Sequence, residues 1–130
     1  MAEPSLEIQK WVYARLVAAA IPGVAAKVYP RVPAGAALPY LEIGNDQIIG
    51  DDEAGDFFEC HVEVSAFAAT TTEAKTIAGL VYAALNVAPT LTGFTCHEWH
   101  YTSTLYRSEI DGSDEFEQAI IEFEYHVQAT

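Results

Sequence analysis

Two short runs, Cys60-His61 and Cys96-His97-x-x-His100, carry the residue types that zinc most often takes as ligands. Both fall in stretches that read as strands, where adjacent side chains point to opposite faces. Cys60 and His61 therefore cannot turn to one ion together, nor can Cys96 and His97, and the chain has no C-x-x-C pair. No metal site is expected. Two acidic loops, DDEAGD and DGSDEFE, raise calcium instead, but neither follows the D-x-[DN]-x-[DN]-G-x5-E spacing of an EF-hand loop. They read as solvated carboxylates.

Catalysis finds little more. There is no G-x-S-x-G elbow, and the paired carboxylates sit on exposed hairpins where nothing would desolvate one into a general acid. Gly93 and Gly112 are single turn glycines rather than a phosphate-binding loop. No catalytic residue and no cofactor is expected. The one enzymatic alternative would use His61, His97, His100 and His126.

The elements that would position these residues can be read along the chain. A first helix is predicted from Ser5, its cap, through the stripe Ile8, Val12, Leu16 and Ala20, to a stop at Pro22-Gly23. The piece KVYPRV is expected to be a sheet edge or a non-sheet path, because Pro30 and Pro33 interrupt it. Residues 40–49 and 57–68 read as two strands. In the second, Phe58, Cys60, Val62, Val64 and Ala66 share one face, and Glu59, His61, Glu63 and Ser65 the other. Thr70 and Glu73 have capping-box spacing and open a second helix to about Asn86, with Ile77, Leu80, Val81, Ala84 and Leu85 as its buried stripe. A second hairpin follows, with strands at about 94–107 and 115–128 and Asp111-Gly112 at the turn. Along its last strand Ala119, Ile121, Phe123, Tyr125 and Val127 alternate with Gln118, Ile120, Glu122, Glu124 and His126.

This order, α-β-β-β-α-β-β, predicts an α+β fold: an antiparallel sheet of four to five strands, two helices on one face, and extended acidic hairpins. The 130 residues, 51% hydrophobic, are enough for one domain with a core of its own. No apolar run of eighteen residues suggests a membrane span, no secretory signal is expected at MAEPSLEIQKW, and two cysteines do not make a disulfide framework. Trp99, Tyr101, Tyr106, Phe57 and Phe58 lie along the hairpins and suit either cross-strand packing or a protein–protein surface.

The formal charge is −13, and its placement is uneven. Residues 42–63 hold Glu42, Asp46, Asp51, Asp52, Glu53, Asp56, Glu59 and Glu63 with no Lys or Arg. Residues 98–124 hold Glu98, Glu109, Asp111, Asp114, Glu115, Glu117, Glu122 and Glu124 with Arg107 as the one base. The first segment, by contrast, carries Lys10, Arg15, Lys27 and Arg31 against Glu3 and Glu7. A chain so poor in cations is not expected to bind a phosphate backbone.

The stretch RVPAGAALPYLEIG, which follows a helix and a VYPRV turn, resembles the Arg-Val-Pro-x-x-Ala-x-x-Pro-Tyr-apolar-x-apolar-Gly segment of a family of small tail-completion proteins. These belong to long-tailed phages and phage-like gene transfer agents. The helix TTTEAKTIAGLVYAAL is similar to the family's Glu-Ala-x-x-Ile-Ala…Leu helix. The segment from LTGF to EFEYHV resembles its Leu-x-Gly strand, acidic Asp-Gly turn and closing apolar strand. Phe67-Ala68 departs from the pattern, where a Trp and a small polar residue are expected.

The resemblance implies a structural tail terminator at the tail–neck junction of a virion, assembled in the bacterial host cytoplasm. Its expected partners are further copies of itself in a hexameric ring, the tail tube protein, and a head-side neck or stopper protein. DNA would pass through the lumen without specific binding, and no membrane is involved. Residues expected at the ring interface or lumen are Lys10, Arg15, Arg31, Asp51, Asp52, Glu53, Asp56, Glu109, Asp111, Asp114 and Glu115. The alternative reading is a small acidic α+β module that binds a basic protein partner.

Overall fold

In a computed structural model the described residues are 3–50, 56–111 and 114–130, with the backbone alone for Asn45, Asp111 and Asp114. Helix α1 spans Ser5–Ala18 and buries Ile8, Trp11, Val12 and Leu16, one stripe at i, i+3, i+4 and i+8. Its start and stop differ from expectation. Ser5 is already helical behind Pro4, whose carbonyl accepts from Ile8 N at 2.9 Å, and the first-turn N–H of Ser5 is met by Glu3 Oε1 at 3.0 Å rather than by Ser5's own side chain acting as a cap. The helix also stops before Ala20, which turns into the left-handed region at φ 48° and is exposed; Ile21 and Val24 continue the core from the following turn.

Strand β1, Val28–Tyr29, lies beside β2, Tyr40–Gly50, and runs parallel to it, so the sheet is mixed rather than purely antiparallel. Parallel neighbours need a crossover, and the rigid segment of residues 30–39 provides it. Leu41 N donates to Lys27 O at 3.0 Å and Lys27 Nζ to Ala37 O at 3.1 Å, closing the crossover onto its own start. Gly23, at φ 81°, is pressed against it: a Cβ there would stand 3.0 Å from Pro39 Cγ. The run of prolines and small residues thus returns the chain to the same sheet edge in the same direction.

Strand β3, Phe57–Ala68, pairs antiparallel with β2 on one side. Helix α2, Thr71–Leu85, follows, and the forward half of the expected capping box forms: Thr70 Oγ1 accepts from Glu73 N at 3.1 Å, while Glu73 Oε1 reaches back one residue past the cap to Ala69 N at 3.1 Å. Its buried stripe is Ala74, Ile77, Ala78, Val81, Ala84 and Leu85. Leu80 does not belong to it and is exposed, being rotated about 100° from Val81. Strands β4, Phe94–Asp111, and β5, Asp114–Ala129, complete the sheet in the order β1-β2-β3-β5-β4. Both are longer than the sequence suggested.

The helices cover one face, where Leu41, Val62, Val64, Ile121, Phe123 and Tyr125 are buried against α1 and α2. Trp11 meets Tyr125 edge-on at 5.4 Å between ring centres. A helix ends with carbonyls that lack partners, and α2 resolves two of them through tertiary contacts. Tyr125 Oη donates to Leu85 O at 2.6 Å, and Arg15 Nε donates to Ala84 O at 2.9 Å. These bonds tie β5 and α1 to the end of α2. Among the described residues no helix is long and apolar enough to cross a membrane.

Candidate assembly surfaces

Three surfaces remain after the core is formed. The first is the long hairpin. Strand β4 is an edge strand of 18 residues, about 60 Å of extended chain, whose outer side has no neighbour among the described strands. It exposes Trp99, Tyr101, Leu105, Tyr106 and Ile110, the last at 72% of its maximal area. The alternatives left open for the hairpin aromatics divide by residue. Tyr101 packs edge-on against Tyr82 at 5.0 Å, and Lys75 Nζ lies 5.5 Å above the Tyr106 ring, yet each of these rings keeps an exposed face. Phe58 turns inward to Phe94 at 6.2 Å. A long, apolar edge strand is a ready template for a second chain.

The second surface is on α1 and the crossover. Gln9, Lys10, Tyr13 and Pro30 line an open cleft of about 250 Å3. Lys10 stands at its rim with a long contact to Glu7 at 3.9 Å, and Arg31 is exposed beside Pro30. Arg15, grouped with them on sequence grounds, has its Nε committed to Ala84 O inside the molecule.

The acidic candidates separate as well. Asp51, Asp52 and Glu53 lie outside the described residues. Asp56 is half-buried, and its carbonyl accepts from Ala129 N at 2.8 Å. Glu109 is half-buried and holds Arg107 Nε at 3.1 Å, while Glu115 is exposed; the backbones of Asp111 and Asp114 are partners in the β4–β5 register. Phe57, at the first acidic link, pairs with Gln128, whereas Ala68, at the far end of β3, pairs with Glu117. The described residues that flank the two acidic links therefore stand at opposite ends of the sheet.

The third surface is the helix-free face of the sheet. Period-two alternation places Glu59 and His61 there, and the register sets them against His126 and Glu124 of β5. Two register shifts in β4, at Cys96/Glu98 and Tyr101/Ser103, bring Glu98 opposite His126 and His100 opposite Glu124. His126 Nε2 bonds to Glu124 Oε2 at 2.7 Å, and His100 Nε2 approaches Glu98 Oε1 at 2.9 Å. The bond between Glu124 and His126 lowers the carboxyl's pKa and raises the imidazole's, each stabilising the other's charged form. His97 is separate, bonded to Gln128 Oε1 at 2.8 Å. Cys60 is fully buried on the opposite face, where burial pushes its thiol up to about 12. The adjacent Cys and His do point apart, as alternation requires. Glu59 and His61, Glu98 and His100, and Glu124 and His126 are i, i+2 pairs within single strands, and strand order and register gather the three pairs into one grid. A cleft of about 160 Å3 beside it is lined by Gln47, His61, Glu63, Thr102 and Glu122.

One face closed by helices, one face bare and an edge hairpin running past the core define a small α+β subunit with surface to spare for assembly. The chain belongs to the family of the tail completion protein gp17, whose profile matches residues 10–128. It is a structural protein of a phage-type tail. Its fold is also similar to that of a chain in the virion of a native gene transfer agent particle, with a TM-score of 0.77 and 19% sequence identity. That likeness covers 99% of this chain and 100% of the other. No curated protein matches it in sequence.

Proposed function

We propose that this protein is a tail terminator: a single domain, six copies of which close into a ring on the finished tail tube, stop its growth and present a seat for the head-side neck protein. The observation that carries this reading is the β4–β5 hairpin, which projects Leu105 and Ile110 into solvent along the far half of an edge strand whose outer side has no neighbour among the described strands. A closed ring needs a heterologous contact, one patch meeting a different patch on the next copy. The hairpin tip offers Ile110 amid Glu109 and Glu115, and the α1 cleft offers Tyr13 and Pro30 amid Lys10 and Arg31. Apolar meets apolar, and acid meets base. Ion pairs at such a rim contribute only about 0–1 kcal/mol each, so they fix register while the apolar contact holds the ring.

With the β4–β5 tip occupied by the neighbour, the opposite acidic link, Asp51, Asp52, Glu53 and Asp56, is left to face the lumen. Six copies at −13 each would repel DNA in transit over the roughly 8 Å reach of charge at physiological salt. Duplex DNA should accordingly give no gel shift at about 0.15 M salt. A measurable shift there would dismiss the conduit. The family's place in tail completion and the likeness to a gene transfer agent virion chain support a site in the virion tail; the reading places it at the tail–neck junction, with assembly in the bacterial host cytoplasm. The role is structural rather than enzymatic. The test is to withhold this chain from cells making every other tail component and measure tail lengths. Overlong, headless tubes are expected; tubes of normal length that still lack heads would leave a joining protein that does not terminate.

A further inference from the structure

The Glu/His grid on the helix-free face has no part in the ring contact just described. We propose that it is a binding site for one dication of the zinc class, held by Glu98, His100 and His126. One donor atom from each of these three lies within 4.8 Å of the other two, and Glu59, Glu124 and His126 form a second such set around the same imidazole. Tetrahedral zinc, with bonds of about 2.0–2.2 Å, wants its ligands about 3.4 Å apart. Glu98 and His100 are about half exposed on an edge strand, so their side chains are free to close that gap.

The donor set chooses the metal. Two imidazoles and one carboxylate suit zinc and its neighbours, whereas calcium and magnesium require oxygen ligands throughout. Glu124, bonded to His126 Nε2 at 2.7 Å, would orient the ring as a carboxylate partner for an ion at Nδ1; an ion at Nε2 would displace it. The thiols are excluded by position: Cys60 and Cys96 pack with the core on the other face. The alternation that keeps adjacent Cys and His apart is also what gathers residues from alternate positions of neighbouring strands onto one face. The bound ion would clip the two strands of the long hairpin together, with Glu59 of β3 in reach of the same imidazole.

Calorimetric titration of the full chain with zinc chloride tests this, with circular dichroism confirming the fold of each variant. The expected result is one equivalent of zinc per chain and a melting temperature that rises with zinc. His126→Asn and His100→Gln should each weaken binding by more than about tenfold, since losing even an outer partner of a metal ligand costs 10–100-fold. Should either variant misfold, Glu98→Gln, an exposed substitution, supplies the same comparison. The double variant Cys60→Ser with Cys96→Ser should bind zinc as the unaltered chain does, and millimolar calcium should not compete. Absence of zinc uptake, uptake unaffected by the histidine substitutions, loss of uptake in the cysteine variant, or displacement by calcium would each overturn the proposal.

Discussion

Replacing Ile110 with Asp, alone and together with Leu105→Asp, is expected to leave the fold intact and produce tails that overrun their normal length. Both side chains are well exposed on the edge strand, at 72% and 57%, and neither belongs to the buried core. Surface changes of this kind usually alter stability by no more than about 0.5 kcal/mol. In the ring, by contrast, the same position would press a carboxylate into the neighbour's Tyr13–Pro30 cleft. Losing the isoleucine removes the apolar contact that holds the ring, and the carboxylate must be desolvated there even beside Lys10 and Arg31. Tail length measured by negative-stain microscopy separates the two states. Variants that fold normally and still cap tails at the normal length would dismiss this hairpin as the contact between copies. The matching change on the other patch is Lys10→Glu with Arg31→Glu rather than Arg15, since altering Arg15 would also release Ala84 O at the end of α2.

The second large effect is on stability. Phe123→Ala should cost about 3–5 kcal/mol, read as a lower urea midpoint. Phe123 is 1% exposed and stacks against Tyr125 at 6.1 Å, with Tyr101 5.6 Å away on β4. Truncation therefore opens a cavity at the join between the helix-covered core and the long hairpin. Against a total stability of about 5–15 kcal/mol, a loss of that size unfolds a substantial fraction of a marginal chain. A cost below about 1 kcal/mol would mean that β5 is not the centre of the core.

Much of this arrangement was legible in the residues. The alternation of Phe58, Cys60, Val62 and Val64 with Glu59, His61 and Glu63 predicts a strand with one buried face, and β3 has it. Thr70 and Glu73 form the cap their spacing implies. Other features have no local signature. Strand β1 is two residues long, and its parallel pairing follows from the path of residues 30–39 back to Leu41. Arg15 reads as a free surface cation on its helix, and only the packing of α1 beside α2 brings it to Ala84 O. The acidic links read as companions in composition, yet the register sets the described residues that flank them at opposite ends of the sheet. The Glu/His grid is half visible, since Glu59, His61, Glu124 and His126 alternate in sequence. Its third column depends on two bulges in β4 that nothing in HEWHYTS announces.

The most direct test of the terminator reading is electron microscopy of purified tail tubes mixed with this protein. A single ring should appear at the head-proximal end of each tube, and tubes so capped should stop elongating when fresh tube subunits are added. Protein bound along the tube wall, or ring-bearing tubes that continue to grow from the capped end, would contradict it.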